Sequence, residues 1–267
     1  MATRSSRPGT LPNGAAPRAE GAGQPEAMTI RSLAAAPPRR LLTARLVMLL
    51  TLAASWTDAL SFVYLGRVFA SFMTGNILFV GIAVAQGDDW LLARASLTLL
   101  TFFVGFTLGS LYLEHAQFPQ SLELRATVVR YLLVEGLILL LFSLVWQLAG
   151  GPTAQPVAQI RLLGIAGFAM GLQEALIATF ELPSILSVAL TGVVILLGRR
   201  LAHRLGPRPT HPQHGPASAP FLIVQMLIYL VAAFVAVRWT STPFIPCLTV
   251  AAAIAVTLVT PPTTARS

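Results

Sequence analysis

Eight runs of apolar side chains, at roughly 46–66, 68–86, 91–113, 126–149, 157–180, 184–198, 220–237 and 244–260, take up most of the chain. They are continuously apolar and do not alternate, which excludes the period-two pattern of a membrane β-barrel and predicts helices. Spanning takes about 20 residues of helix, because an unpaired backbone amide is too costly in hydrocarbon. The second and sixth runs are short or broken by polar and Gly residues, and each follows its predecessor almost without a loop. The pattern therefore predicts an all-α, polytopic transmembrane helical bundle of six to eight membrane segments.

Around these runs the chain divides into three parts. Residues 1–43 are rich in Pro, Gly, Ala and Ser and hold too few large apolar side chains to offset the entropy of ordering, so a disordered basic cytoplasmic tail is expected. The bundle occupies 44–260, in halves of about 44–149 and 157–260 with a cytoplasmic loop at 199–219, and 261–267 is a short tail. The first apolar run starts after Arg45 and is too long for a signal peptide, so the first helix is expected to stay attached.

Composition sharpens this picture. Of 267 residues, 55% are hydrophobic and 10% charged, against about 25% charged in soluble domains. Lys is absent and only ten residues are acidic, leaving no polar coat for a soluble core. The lone Cys247 excludes a disulfide framework within one chain. A net charge of +8 raises nucleic acid as a partner, but the charge is segregated: seven Arg precede position 46, and Arg199, Arg200, Arg204 and Arg208 cluster. That is the asymmetry of cytoplasmic segments beside membrane helices, so the expected partner is the lipid bilayer and not nucleic acid. A multi-pass protein of a bacterial inner (plasma) membrane with a cytoplasmic N-terminus follows. Two topologies fit the charges: eight spans, or six with the second and sixth runs re-entrant. The six-span form also brings the loop beside Arg125 and Arg130 inside.

An internal echo relates the halves. Asp58-Ala59-Leu60 precedes Thr74-Gly75-Asn76 by 16 positions, and Glu174-Ala175-Leu176 precedes Thr191-Gly192 by 17. Transporter folds built from two repeats place binding groups on helices interrupted at matching positions. An ionisable side chain costs about 2.5 to 3.5 kcal/mol at a membrane helix centre, so Asp58 and Glu174 each need a reason. One is a proton- or cation-linked carboxylate facing a cavity; the other is pairing with Arg67, Arg94 or Arg130 purely for assembly. Thr74, Gly75 and Asn76, with Gln173 and Glu174 and with Thr191 and Gly192, can hold a solute or ion at a locally unwound helix, or simply let helices pack closely. Glu135 follows Arg130 by five residues, so the two do not face squarely on a helix; both are expected near a cytoplasmic surface, and the spacing assigns Glu135 no role.

The remaining motifs are silent on chemistry. Gly105-x-x-x-Gly109 and Gly167-x-x-x-Gly171 are close-packing faces. His203, His211 and His214 fall in a Pro-rich loop and suggest no metal site, and nothing suggests a cofactor. The zinc-protease, serine-hydrolase and nucleotide-binding patterns are missing from the sequence, so an enzyme is not expected.

At the same positions the chain resembles a known group, the YoaK-like bacterial membrane proteins that carry domain of unknown function 1275. The resemblance rests on Asp58-Ala59-Leu60-Ser61-Phe62, Phe72-Met73-Thr74-Gly75-Asn76, Ala169-Met170-Gly171-Leu172-Gln173 and Thr191-Gly192, and covers about residues 44–260. Glu174 stands where such proteins have Asn, and Ser187-Val188-Ala189-Leu190 where they have a Thr-rich approach. The resemblance implies a membrane transporter or permease without naming a substrate. The expected function is thus a small secondary transporter or permease for a small solute or ion, with a non-transporting assembly or regulatory component as the alternative and a membrane-embedded enzyme as a third, less favoured reading.

Overall fold

The computed structural model describes residues 38–116, 124–180, 194, 198, 219–239 and 243–259. Seven α-helices lie among them: α1 Pro38–Tyr64, α2 Met73–Gln86, α3 Asp89–His115, α4 Leu124–Leu148, α5 Pro156–Ala178, α6 Ala219–Arg238 and α7 Ile245–Val259. α1, α3, α4, α5 and α6 are each long and apolar enough to cross a bilayer, whereas α2 and α7 are shorter. Large apolar side chains such as Phe103, Leu137 and Phe234 point outward, while Thr51, Ser55, Asp58, Asn76 and Gln173 are buried. A soluble helical protein has the opposite distribution, because only hydrocarbon is an agreeable solvent for such an exterior.

The directions of the helices follow from which residues meet. On α1 and α6, Gln225 meets Thr51, the Ser55 hydroxyl donates to the Tyr229 carbonyl at 2.6 Å, and Tyr64 reaches the Val237 carbonyl at 3.4 Å, so the two run parallel. On α3 and α5, Leu97 lies against Gly164, Gly105 against Phe168 and Gly109 against Ala175, which is again parallel. α4 is antiparallel to both its partners. Tyr131 donates to the Leu172 carbonyl of α5 at 2.6 Å while Trp146 covers Gly151 just before α5 begins. Ser143 donates to the Pro243 carbonyl at 2.7 Å, and Cys247 lies at 3.6 Å from the Gly136 carbonyl. The ring of Tyr64 at the end of α1 meets Trp146 at the end of α4, and Gln173 reaches the Leu50 carbonyl at 3.0 Å, so α1 opposes α5. Hence α1, α4 and α6 point one way, and α3, α5 and α7 the other.

This arrangement decides the fate of the second apolar run. α1 and α3 are antiparallel, so the chain between them leaves and returns on one face. Left-handed Gly66 (φ 93°) and Arg67 (φ 63°) reverse it, with the Arg67 amide donating to the Phe62 carbonyl at 3.1 Å. Gly66 lies against the side chain of Arg94, in the second turn of α3, so the end of α1 and the start of α3 share a level. Residues 68–72 then dip back beside α1, and α2 climbs to left-handed Gly87, where Asp88 caps α3 by accepting from the Leu91 amide at 2.9 Å. The segment is re-entrant. α5 and α6 are likewise opposed, so their joined ends lie on one face; the sixth run, 184–198, falls almost entirely outside the described residues.

Exchanging the halves, α1 for α5, α3 for α6 and α4 for α7, maps the packing onto itself. The pair α3–α5 becomes α6–α1, α4–α5 becomes α7–α1, and α4–α7 and α1–α5 reproduce themselves; each of these pairs packs in the structure. Every exchanged helix is antiparallel to its counterpart, the relation of an inverted repeat about an axis in the membrane plane.

The glycine motifs sit where backbones touch. A Cβ on Gly105 would strike the Phe168 carbonyl, and one on Gly171 the Phe102 carbonyl, so the two G-x-x-x-G faces are partners of each other across α3 and α5.

Candidate functional site

α1 carries a polar stripe, Thr51, Ser55 and Asp58, at the spacing that shares one helix face. It lies along Gln225 and Tyr229 of α6, themselves one turn apart. Asp58 is 2% exposed, and its carboxylate is fully engaged. Oδ1 accepts from the Ser71 amide at 2.7 Å; Oδ2 accepts from the Ser71 hydroxyl at 2.6 Å and from the Tyr229 phenol at 2.9 Å. Three separate pieces of chain converge on one acid: α1, the re-entrant segment and α6. Among the described residues none of its partners is an Arg, so the expected alternative of an ion pair with Arg67, Arg94 or Arg130 does not describe Asp58.

The second expected cluster has divided roles. Asn76, fully buried, holds the peptide groups of residue 69 from both sides: its Oδ1 accepts from the Phe69 amide at 3.0 Å and its Nδ2 donates to the Phe69 carbonyl at 2.6 Å. It does for the re-entrant turn what a neighbouring strand would do. Gly75 allows that turn to close, since a Cβ there would stand 2.6 Å from the Phe72 ring, and Phe62, Phe69 and Phe79 stack beside it. Thr74 is exposed. The motif thus supplies a clamp, a close approach and an outward hydroxyl.

In the second half, Gln173 and Glu174 are both buried near the end of α5. Gln173 donates to the Leu50 carbonyl, while its Oε1 has no hydrogen-bond partner. Glu174 lies within electrostatic reach of Asp58. Thr191 and Gly192 lie outside the described residues.

Several residues of this interior were not among those expected. Ser71 and Tyr229 hold Asp58, and Gln225 extends the stripe. The i, i+4 spacing of Gln225 and Tyr229 in an otherwise apolar run was the available signal. Glu135, expected near a surface, is fully buried instead. Five residues rotate a helix by about 140°, which sends Arg130 outward and Glu135 into the core. Among the described residues no three His, Cys, Asp or Glu side chains stand close enough to hold a metal ion.

Residues 46–261 match a family described as "Protein of unknown function (DUF1275)". The chain belongs to that family. It is also similar to the UPF0700 transmembrane protein YoaK of Bacillus subtilis (strain 168), 27% identical over 163 residues that cover 60% of this chain and 68% of the relative. No solved structure matches. The match takes in α1 from its third turn onward, the re-entrant segment and every later helix, so the Asp58 cluster lies wholly inside the family region.

Proposed function

We propose that this chain is a small secondary transporter or permease, with Asp58 as the acid that links proton or cation binding to movement of a small solute. The observation that carries the reading is the Asp58 junction: a buried carboxylate joins α1 to a re-entrant segment and to α6, with no Arg among its partners in the described residues. A change in the charge of that group alters three hydrogen bonds at once, and with them the hold on the re-entrant turn. Transporters with inverted repeats keep their sites on such interrupted segments, which supports the reading.

The membrane is the bacterial plasma membrane in this proposal, with the N-terminus in the cytoplasm. Fourteen of the 18 Arg residues precede or enter α1, flank the α3–α4 connection, lie between α5 and α6 or follow α7. Given the helix directions, the helix ends that adjoin these segments lie on one face, which the positive-inside rule assigns to the cytoplasm.

One observation favours a second reading, a non-transporting assembly component. Both Asp58 and Asn76 have well-formed hydrogen bonds, as structural staples do. Proteoliposomes separate the two. Solute and proton flux across a compound panel, present in wild type and lost in Asp58→Asn at matched folded abundance, is the expected result. Absence of flux from wild type, with a variant that only melts earlier, moves the assignment to assembly.

A further inference from the structure

The interior holds a third acid that the Asp58 junction does not use. Glu135 sits midway along α4, is 0% exposed, and neither of its carboxyl oxygens has a hydrogen-bond partner among the described residues. Buried polar atoms are nearly always satisfied, so a carboxyl with both oxygens bare calls for an explanation other than packing. Assembly does not provide one. The counterpart of α4 in the second half is α7, which packs against α1 as α4 packs against α5, and Ile245–Val259 contains no acidic residue. A helix in that position is built without a carboxyl.

Among the described residues the surroundings of Glu135 are acidic, and no positive charge faces it. From α5 it faces Glu174, from its own helix Tyr131 one turn earlier, and from α7 only Cys247, beside Gly136, is titratable. Arg161 of α5 stands apart, exposed in an outer groove with Ile138 and Leu141. Glu174 in turn lies within electrostatic reach of Asp58. The carboxyls are therefore linked pairwise, Asp58 with Glu174 and Glu174 with Glu135, carried on α1, α5 and α4. They are not gathered tightly enough to cage a metal ion among the described residues.

From this arrangement we infer that Glu135 is a proton-binding site, the inner station of a carboxyl relay that runs through Glu174 to Asp58. A proton needs only one oxygen as acceptor and can occupy stations singly, which suits carboxyls that meet in pairs and not as a cluster. Each transfer moves a proton from one carboxyl oxygen to the next, directly or through water, and leaves the donor as carboxylate. The purpose of the relay rests on the transporter reading; proton binding itself is measured without any solute.

The test is an infrared pH titration of the purified full chain in liposomes, following the carbonyl band of protonated carboxyls in wild type, Glu135→Gln and Glu135→Asp. A titrating band that is lost in Glu135→Gln, reappears at a displaced midpoint in Glu135→Asp and shifts in Glu174→Gln is the expected outcome. Wild-type and Glu135→Gln spectra that titrate alike overturn the inference. So does a Glu135 band that responds to sodium at fixed pH and not to pH, which makes the site a cation site. Glu135→Asp keeps the experiment decisive if the Gln variant does not fold. A Glu135 band that titrates in a protein with no solute flux sustains the proton site and removes the transporter reading. Solute flux with no Glu135 band does the reverse.

Discussion

Ser71 grips Asp58 twice, its amide on Oδ1 at 2.7 Å and its hydroxyl on Oδ2 at 2.6 Å. A residue from a turn thereby reads both oxygens of an acid on a helix 13 positions earlier. The amide bond survives any substitution that keeps the backbone in place, whereas the hydroxyl bond belongs to the side chain. The two contributions can therefore be separated by mutation.

Ser71→Ala removes one donor to a charged acceptor and is expected to lower stability by about 1.5 to 3 kcal/mol. Asp58→Asn leaves an amide group that cannot accept at both positions, and its cost should be similar or larger. Thermal unfolding in detergent of the two single variants and the double variant measures their coupling, expected at about 0.5 to 3 kcal/mol for groups in direct contact. Strict additivity would mean that the Ser71 hydroxyl bond contributes nothing, since the amide bond is present in both backgrounds.

Asn76 is the sole side chain holding residue 69 from both sides among the described residues. Asn76→Ala strands an amide and a carbonyl in a part-buried turn, at about 1 to 3 kcal/mol for each group left unsatisfied. Asn76→Asp retains the acceptor and loses the donor, so its effect should be the smaller of the two at neutral charge. Hydrogen exchange at residues 66–76 is expected to quicken in Asn76→Ala while α4 remains protected.

The re-entrant path predicts sidedness. In a Cys247→Ala background, cysteines placed at Arg67 and at Gln86 should react with a membrane-impermeant reagent from the same side, and a cysteine at Glu114 from the other. Labelling of the first two from opposite sides would restore the second apolar run to a full span.

The glycine seam predicts a stability contrast. Gly105→Ala and Gly171→Ala each drive a methyl into a carbonyl of the facing helix, an overpacking expected to cost about 1 to 3 kcal/mol. Gly81→Ala meets nothing within 4 Å and should be neutral or slightly stabilising, as alanine favours helix. Unfolding midpoints of the three variants provide the comparison.

Much of this was legible in the sequence. Five of the apolar runs became long helices, and Gly105, Gly109, Gly167 and Gly171 advertised their seam by spacing alone. Hydropathy could not tell a span from a re-entrant loop, because 68–86 is apolar enough for either and the deciding facts are the directions of α1 and α3. Asp58 and Asn76 stood out as polar intrusions, yet their partners did not. Tyr229 is 171 positions from Asp58, and no local pattern records which helix faces which. The different helix sides of Arg130 and Glu135 were legible from their spacing, whereas the burial of Glu135 depends on which neighbouring helices face it.

The two equivalent seams of the bundle are made of different materials. Between α3 and α5, backbone presses on backbone at Gly105 and Gly171, and there is one register in which those atoms fit. Between α1 and α6, contact runs through hydroxyls, an amide and a phenol, whose hydrogen bonds can be broken and re-formed one step along. A bundle with one close-fitted joint and one hydrogen-bonded joint has its weaker line drawn in advance: in any rearrangement α3 and α5 are expected to move together, with displacement collecting between α1 and α6.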